Sequence, residues 1–265
     1  MGNFEFKKKF GQNFLTDETL LDDIVEKAGV TSDDIIVEIG AGKGALTQAL
    51  SKVAKKVYSF EIDKDLFGYL ETKFFGTNVE FVFEDVMNYS DDKLNKLIGG
   101  NFKLVANLPY YVTSPIITRF LKNKNMQSLT VMVQEEVADR IIASPKNKSY
   151  GVLSIICQIY GTPSKVLRVG REMFMPVPNV DSAVVRIDCE KNYDIINYDK
   201  FIKFIKKAFS MRRKKLSTNL ETHGIAKTEV EKILSQNDFS TTIRAEELTI
   251  NDFIKLYQIF YDKIS

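Results

Sequence analysis

Residues 104–115 read LVANLPYYVTSP, which places an amide, a proline and two phenol rings directly behind a short apolar run. A carboxamide oxygen accepts hydrogen bonds. Proline fixes its own φ and biases the preceding residue toward extended geometry, so the Leu108 carbonyl is aimed in advance by Pro109. Asn107 and Leu108 therefore offer two acceptors side by side, and Tyr110 offers a flat ring on which a base can stack. Such a set suits an exocyclic amine of adenine. Its lone pair is delocalised into the ring and is a poor nucleophile, but two acceptors can hold its hydrogens while the nitrogen faces an activated carbon. Chemistry of this kind needs positioning and exclusion of water rather than a strong base. Asparagine and proline also end strands routinely, and those four residues alone fit that plainer reading equally well.

A second group lies upstream. The apolar run Ile35–Ile39 leads into Gly40-Ala41-Gly42-Lys43-Gly44. Glycines there let the backbone approach a ligand closely and take positive φ. Glu61 follows about twenty residues on, where a carboxylate can accept both hydroxyls of a ribose. Asp85, after the next apolar run, can take an adenine amine, and Glu38 is expected at the same edge. Two cofactors meet these demands: a dinucleotide and S-adenosylmethionine. The third glycine comes one position early for G-x-G-x-x-G, and Lys43 occupies the turn, so the methyl donor is the better match and the dinucleotide stays open.

Other chemistries have little to work with. The chain holds one histidine, His223, which leaves His-based metal sites and Ser-His-Asp triads almost no ligands. Cys157 and Cys189 each fall in an apolar, strand-like stretch and read as small buried hydrophobes. With 265 residues, 44% hydrophobic and 27% charged, the composition is that of a soluble globular protein of one large domain or a large and a small one. No apolar run approaches the roughly eighteen residues of a membrane span. The opening stretch lacks a secretory signal's apolar core and matches the myristoylation pattern poorly, so a cytoplasmic location is expected. The net charge of +2 is mild, but basic residues bunch at Lys7-Lys8-Lys9, at Lys206-Lys207 and at Arg212-Arg213-Lys214-Lys215. Such clusters are often solvated faces; they are also where a phosphate backbone would be held.

These groups require a scaffold. Thr16 can cap a helix whose apolar face holds Leu20, Leu21, Ile24, Val25 and Ala28. Strand candidates at 35–39, 57–61, 79–83, 104–106 and 129–133 alternate with helical stretches beginning near residues 44, 64 and 114. Short Val/Ile-rich strands separated by helices predict a parallel sheet covered on both faces. Two further strands are predicted at 152–160 and 182–188, with no helix between them, as an antiparallel edge. From about Tyr198 the pattern is only helical, in four short segments. The expected fold class is α/β, a Rossmann-like sheet with an antiparallel edge plus a small all-helical C-terminal domain, divided at residues 1–190 and 191–265.

Six segments resemble one family in order along nearly the whole chain: FGQNFL (10–15), VEIGAGKGALT (37–47), FEID (60–63), NLPY (107–110), QEEVADRI (134–141) and FMPVPNVDSAVVRI (174–187). The chain is similar to the ribosomal RNA adenine dimethyltransferases, and within them to the bacterial small-subunit (16S) branch, which RRKKLSTNL (212–220) also resembles. The resemblance implies an S-adenosylmethionine-dependent enzyme with no metal, contacting its cofactor through Asn13, Leu15, Gly40, Gly42, Glu61, Asp85 and Asn107. It implies Asn107, Leu108, Pro109 and Tyr110 at the target amine, with Phe174 stacking on the base opposite Tyr110. It further implies a monomer that places two methyl groups on each of two adjacent adenosines in a hairpin loop near the 3′ end of 16S rRNA, late in small-subunit assembly. The helical domain would contribute to rRNA binding, and loss of the enzyme would give kasugamycin resistance. The turn departs from the G-P-G-L-G common in relatives at Ala41 and Lys43. A large-subunit rRNA methyltransferase conferring macrolide resistance and a non-catalytic nucleic-acid-binding relative are the alternatives.

Overall fold

A computed structural model describes residues 14–15, 17–190, 193–221 and 224–263. The described elements begin with a two-residue strand β1 (Phe14–Leu15) and helix α1 (Glu18–Lys27). Asp17 is the N-cap of α1, its carboxylate accepting from the Leu20 N–H at 2.9 Å. The expected cap Thr16 lies outside the described residues. The predicted face of α1 is buried at Leu20, Leu21, Ile24 and Val25.

The central sheet then forms from β2 (Ile35–Ile39), β3 (Lys56–Phe60), β4 (Val79–Val82), β5 (Phe102–Asn107) and β6 (Met126–Gln134). Between them run α2 (Ala45–Ser51), α3 (Phe67–Lys73), α4 (Asp91–Ile98) and α5 (Thr113–Phe120). All five strands are parallel to one another, in the order β4-β3-β2-β5-β6. Val37, Val57, Leu104, Leu129 and Val131 are wholly buried, as strands covered on both faces require. The order reverses between β2 and β5, the switch point at which such sheets open a crevice.

The antiparallel edge exists, but one of its strands is not where the pattern put it. Helix α6 (Glu135–Ile142) follows β6, and residues 152–160 form helix α7 (Val152–Tyr160) rather than a strand. The edge strand is instead β7 (Thr162–Val169), paired antiparallel with β9 (Ser182–Asp188), which pairs antiparallel with β6. The reason is burial. Leu153, Ile155, Ile156, Cys157 and Ile159 are all buried, and a short, mostly apolar run of this kind reads as a buried strand as readily as a buried helix. β7 is polar and opens Thr162-Pro163, as an edge strand tolerates, and Lys165 and Arg168 protect it from further pairing. A short β8 (Phe174–Met175) pairs with β1.

After β9 come α8 (Tyr198–Ala208), α9 (Leu216–Glu221), α10 (Lys227–Gln236) and α11 (Ile250–Phe260), the four predicted segments. Two compact units result. One holds the strands and α1–α5, running to Ala138 and resuming over Tyr160–Glu190; the other takes Asp139–Ile159 together with the C-terminal helices. The second has its own aromatic core, with Phe201 edge-on to Tyr257 at 5.1 Å and the Tyr257 hydroxyl donating to the Ile196 carbonyl at 2.7 Å. Among the described residues no helix is long and apolar enough to cross a membrane.

Candidate active site

The β2–β5 register pairs Val37 with Leu104. Carried forward, it sets Gly40 beside Asn107, each just where its strand gives way to a turn. A Cβ built on Gly40 would stand 3.8 Å from the Asn107 carbonyl oxygen, and Gly40 has φ +83°, a conformation side-chain-bearing residues rarely adopt. Gly44 has φ +73°, and a Cβ there would stand 2.7 Å from the Phe74 ring. The two glycines thus fold the turn back over the strand ends with its peptide groups toward the crevice.

Here lies a cavity of about 270 Å³, lined by Leu15, the whole 39–43 turn, Glu61, Asp85 and Asn107 to Val112, and closed by Phe174. Its size is near the lower end of small-molecule sites. Every predicted site residue within the described residues lines it: Leu15, Gly40, Gly42, Glu61, Asp85, Asn107, Leu108, Pro109, Tyr110 and Phe174. Asn13 lies outside the described residues, as do Lys7-Lys8-Lys9 and His223.

Glu61 follows β3 and is only 4% exposed. Its Oε1 accepts the N–H groups of Ile62 at 2.8 Å and Asp63 at 2.9 Å, while Oε2 accepts that of Gly42 at 2.9 Å. A carboxylate has about four acceptor positions. Three are filled by backbone N–H groups, which leaves one position on Oε2 open. The same bonds tie the glycine turn to the end of β3. Asp85 lines the cavity and caps a single 3-10 turn, its Oδ1 accepting from Met87 N–H at 2.9 Å.

Glu38 does not join them. It is 1% exposed, lines no part of the cavity, and its Oε2 accepts from the hydroxyls of Thr47 and Ser59, both at 2.6 Å. Burial is the main cause that pushes its carboxyl up to about 7, against the two hydroxyl bonds and with the nearby Glu61 charge adding to it. Glu38 therefore joins α2 to β2 and β3 beneath the turn.

The segment after β5 holds its shape through Pro109 (φ −57°, ψ 134°), behind which Tyr110–Val112 make one 3-10 turn. The Tyr110 and Ser182 hydroxyls meet at 3.0 Å, so the ring is anchored to β9. Phe174 is 3% exposed and belongs both to the cavity wall and to the core cluster with Leu15, Leu21 and Val105. Sequence reading missed Ser182, whose role depends on a contact 72 residues away. It also missed Ile62 and Tyr111, which line the cavity while 45% and 62% exposed. The signal for both was adjacency to Glu61 and Tyr110.

Burial likewise pushes the Cys189 thiol up to about 12, and Cys157 is buried within α7, so neither is an activated nucleophile. In the second unit Arg212 Nε is 2.9 Å from Glu246, whereas Arg213, Lys214 and Lys215 are exposed.

A doubly wound sheet with a glycine turn, a ribose-type acid, an adenine-type acid and an acceptor-rich Asn-Leu-Pro-Tyr segment in one switch-point cavity defines an adenosyl-cofactor-dependent transferase. An adenosyl ligand fits what is present: one free Glu61 acceptor, one free Asp85 acceptor, apolar walls and a turn that no Cβ crowds. Residues 3–262 match the family described as ribosomal RNA adenine dimethylase. The chain is 41% identical to the ribosomal RNA small subunit methyltransferase A of Clostridioides difficile, covering 99% of this chain and 93% of the relative. It is also 41% identical to the protein of that name from Fusobacterium nucleatum, covering 97% and 98%. Among solved structures, a dimethyladenosine transferase from Plasmodium falciparum superposes with TM-score 0.80 at 26% identity, covering 94% of this chain and 98% of that one. The 23S rRNA methyltransferase ErmE does so with 0.70 at 25%, covering 93% and 98%. The chain belongs to the ribosomal RNA adenine dimethylase family. Its reaction is methyl transfer from S-adenosylmethionine to adenine in ribosomal RNA.

Proposed function

We propose that the protein transfers four methyl groups to two adjacent adenosines in a hairpin loop near the 3′ end of 16S rRNA. It acts as a cytoplasmic monomer on the small ribosomal subunit or its precursor, late in assembly. The small-subunit choice is supported by relatives of that name at 41% identity over nearly the full chain. For the mechanism, the observation that carries the reading is the shared cavity of Asn107–Tyr110 with Gly40, Glu61 and Asp85.

Glu61 and Asp85 hold the ribose and adenine of the cofactor, with Leu15, Gly40 and Gly42 against it. The bound sulfonium supplies an activated methyl and its own leaving group. Asn107 accepts one hydrogen of the target amine through its side-chain oxygen, and the Leu108 carbonyl accepts the other. Pro109 keeps that carbonyl in place. Tyr110 and Phe174 stack on the two faces of the flipped-out base. Because the amine is oriented and shielded from water, no strong base is required. The helical C-terminal region, 191–265, contributes to rRNA binding, with Arg213, Lys214 and Lys215 on the phosphate backbone.

A large-subunit substrate is the second reading, supported by the nearly full-length likeness to ErmE. Labelled S-adenosylmethionine given separately to unmethylated small subunits and to large-subunit RNA decides between them. Dimethyladenosine in the small subunits alone is the expected result; label in the large-subunit RNA alone overturns the small-subunit reading.

A further inference from the structure

A second cleft, of about 520 Å³, lies at the end of β6. It is lined by Gln134, Glu135, Glu136, Arg171, Asn179 and Asp181 with the edge of Val180. Its position follows from register. Gln134 ends β6 and pairs with Ser182, the residue that anchors Tyr110. Asn107 pairs with Met132 on the same strand, so Gln134 stands two residues beyond, on the order of 8 Å from Asn107 by strand spacings. Tyr110 lines the first cavity, and its hydroxyl partner Ser182 directly follows Asp181 of the second.

The cleft's charges are already balanced. Glu135 meets Lys165 and Arg168, both at 3.2 Å, and Asp181 meets Arg168 at 3.1 Å while also accepting the Arg171 N–H at 3.2 Å. Glu136 and Arg171 also line the cleft, so the acids Glu135, Glu136 and Asp181 stand against Lys165, Arg168 and Arg171, with no net positive field to draw in a phosphate. What it leaves over is different. Among the described residues the carboxamides of Gln134 and Asn179 have no hydrogen-bond partner, and both open into the cleft. A carboxamide offers one donor and one acceptor in a plane, which is the complement of the adenine N6/N7 edge.

We propose that this cleft holds the adenine next to the one being methylated, reading its edge through Gln134 and Asn179. The inference rests on the reading of two adjacent adenosines as substrate. While one base lies between Tyr110 and Phe174, its neighbour is seated beyond Ser182, so that the pair is recognised as a pair.

The test uses unmethylated small subunits carrying either adenine or uridine at the neighbouring position. It compares the parent with the Gln134→Ala/Asn179→Ala double variant and with the near-isosteric Gln134→Glu. Methylation of the remaining target adenine is followed as kcat/KM, and particle affinity is measured without methyl donor. The parent should favour the adenine-bearing particle by about tenfold in both readouts. The double variant should bring that ratio below about threefold, and Gln134→Glu should lower it, with rates on the uridine particle unchanged within about twofold. A parent that does not distinguish the particles, or variants that keep the parent's ratio, overturns the proposal. A parent that methylates neither particle overturns the substrate reading instead.

Discussion

The Tyr110 hydroxyl lies 3.0 Å from that of Ser182, which joins the turn after β5 to the first residue of β9. Ser182 is wholly buried in β9, which is paired on both sides, so the bond fixes a ring of the cavity wall to the interior of the sheet. Removing either hydroxyl frees the same ring. Tyr110→Phe and Ser182→Ala should each slow methyl transfer a few-fold, and the double variant should be no worse than the singles, the signature of one shared interaction. Tyr110→Ala removes the ring and should cost on the order of 1–3 kcal/mol. Additive losses in the double-variant cycle would show that the two residues act separately.

Glu61 holds the N–H groups of Gly42, Ile62 and Asp63 and, on the proposed reading, also binds the cofactor. Glu61→Gln keeps the volume but turns one acceptor oxygen into a donor facing a backbone N–H. Cofactor affinity, followed by calorimetry, should drop by about tenfold or more. Thermal unfolding should show a loss of roughly 1–3 kcal/mol, because a buried N–H is left unpaired. Intact affinity in that variant would remove Glu61 from the binding site.

Glu38 predicts a pH dependence. Its carboxyl stands at about 7 when folded against an ordinary value of 4.5. A raised value means that the folded state binds the proton more tightly than the unfolded one. The contribution is therefore full below 4.5 and is lost as pH rises to about 7. Glu38→Gln carries no titrating proton. The stability of the parent relative to this variant should fall by on the order of a few kcal/mol between those pH values and stay level above them. A flat difference across the window, measured by denaturant unfolding, would contradict the burial argument.

Phe174 has a core role and, on the proposed reading, a stacking role, which a single truncation would confuse. As a core side chain, Phe174→Ala should cost about 3–5 kcal/mol of stability. Phe174→Leu keeps most of the packing, so its stability should change by less than about 1.5 kcal/mol. Its methyl transfer should nonetheless fall several-fold for want of a stacking ring. An unchanged rate in the leucine variant would leave Phe174 with its core role alone.

What could be read from sequence depended on whether the signal was local. IIVEI at 35–39 is a strand to the residue, because a run of branched residues around Glu38 ends at Gly40, whose φ of +83° leaves the extended region. Gly40, Asn107 and Pro109 were legible since each carries a backbone or side-chain property that does not depend on distant partners. VLSIICQIY was not, because a short, largely buried apolar run suits a strand and a helix alike. Glu38 and Glu61 look alike in the sequence, each an acid at a strand end. Only the pleat and the glycine turn decide that one faces Thr47 and Ser59 while the other faces the cavity. Ser182 and the second cleft arise from the pairing of β6 with β9, which no short motif encodes.

The proposed chemistry turns on Asn107 as an acceptor for the target amine, and single-turnover methylation of small subunits by Asn107→Ala at saturating cofactor measures that most directly. The expected result is a folded variant that still binds S-adenosylmethionine but transfers its methyl on the order of a hundredfold more slowly or worse. A rate within a few-fold of the parent would contradict it.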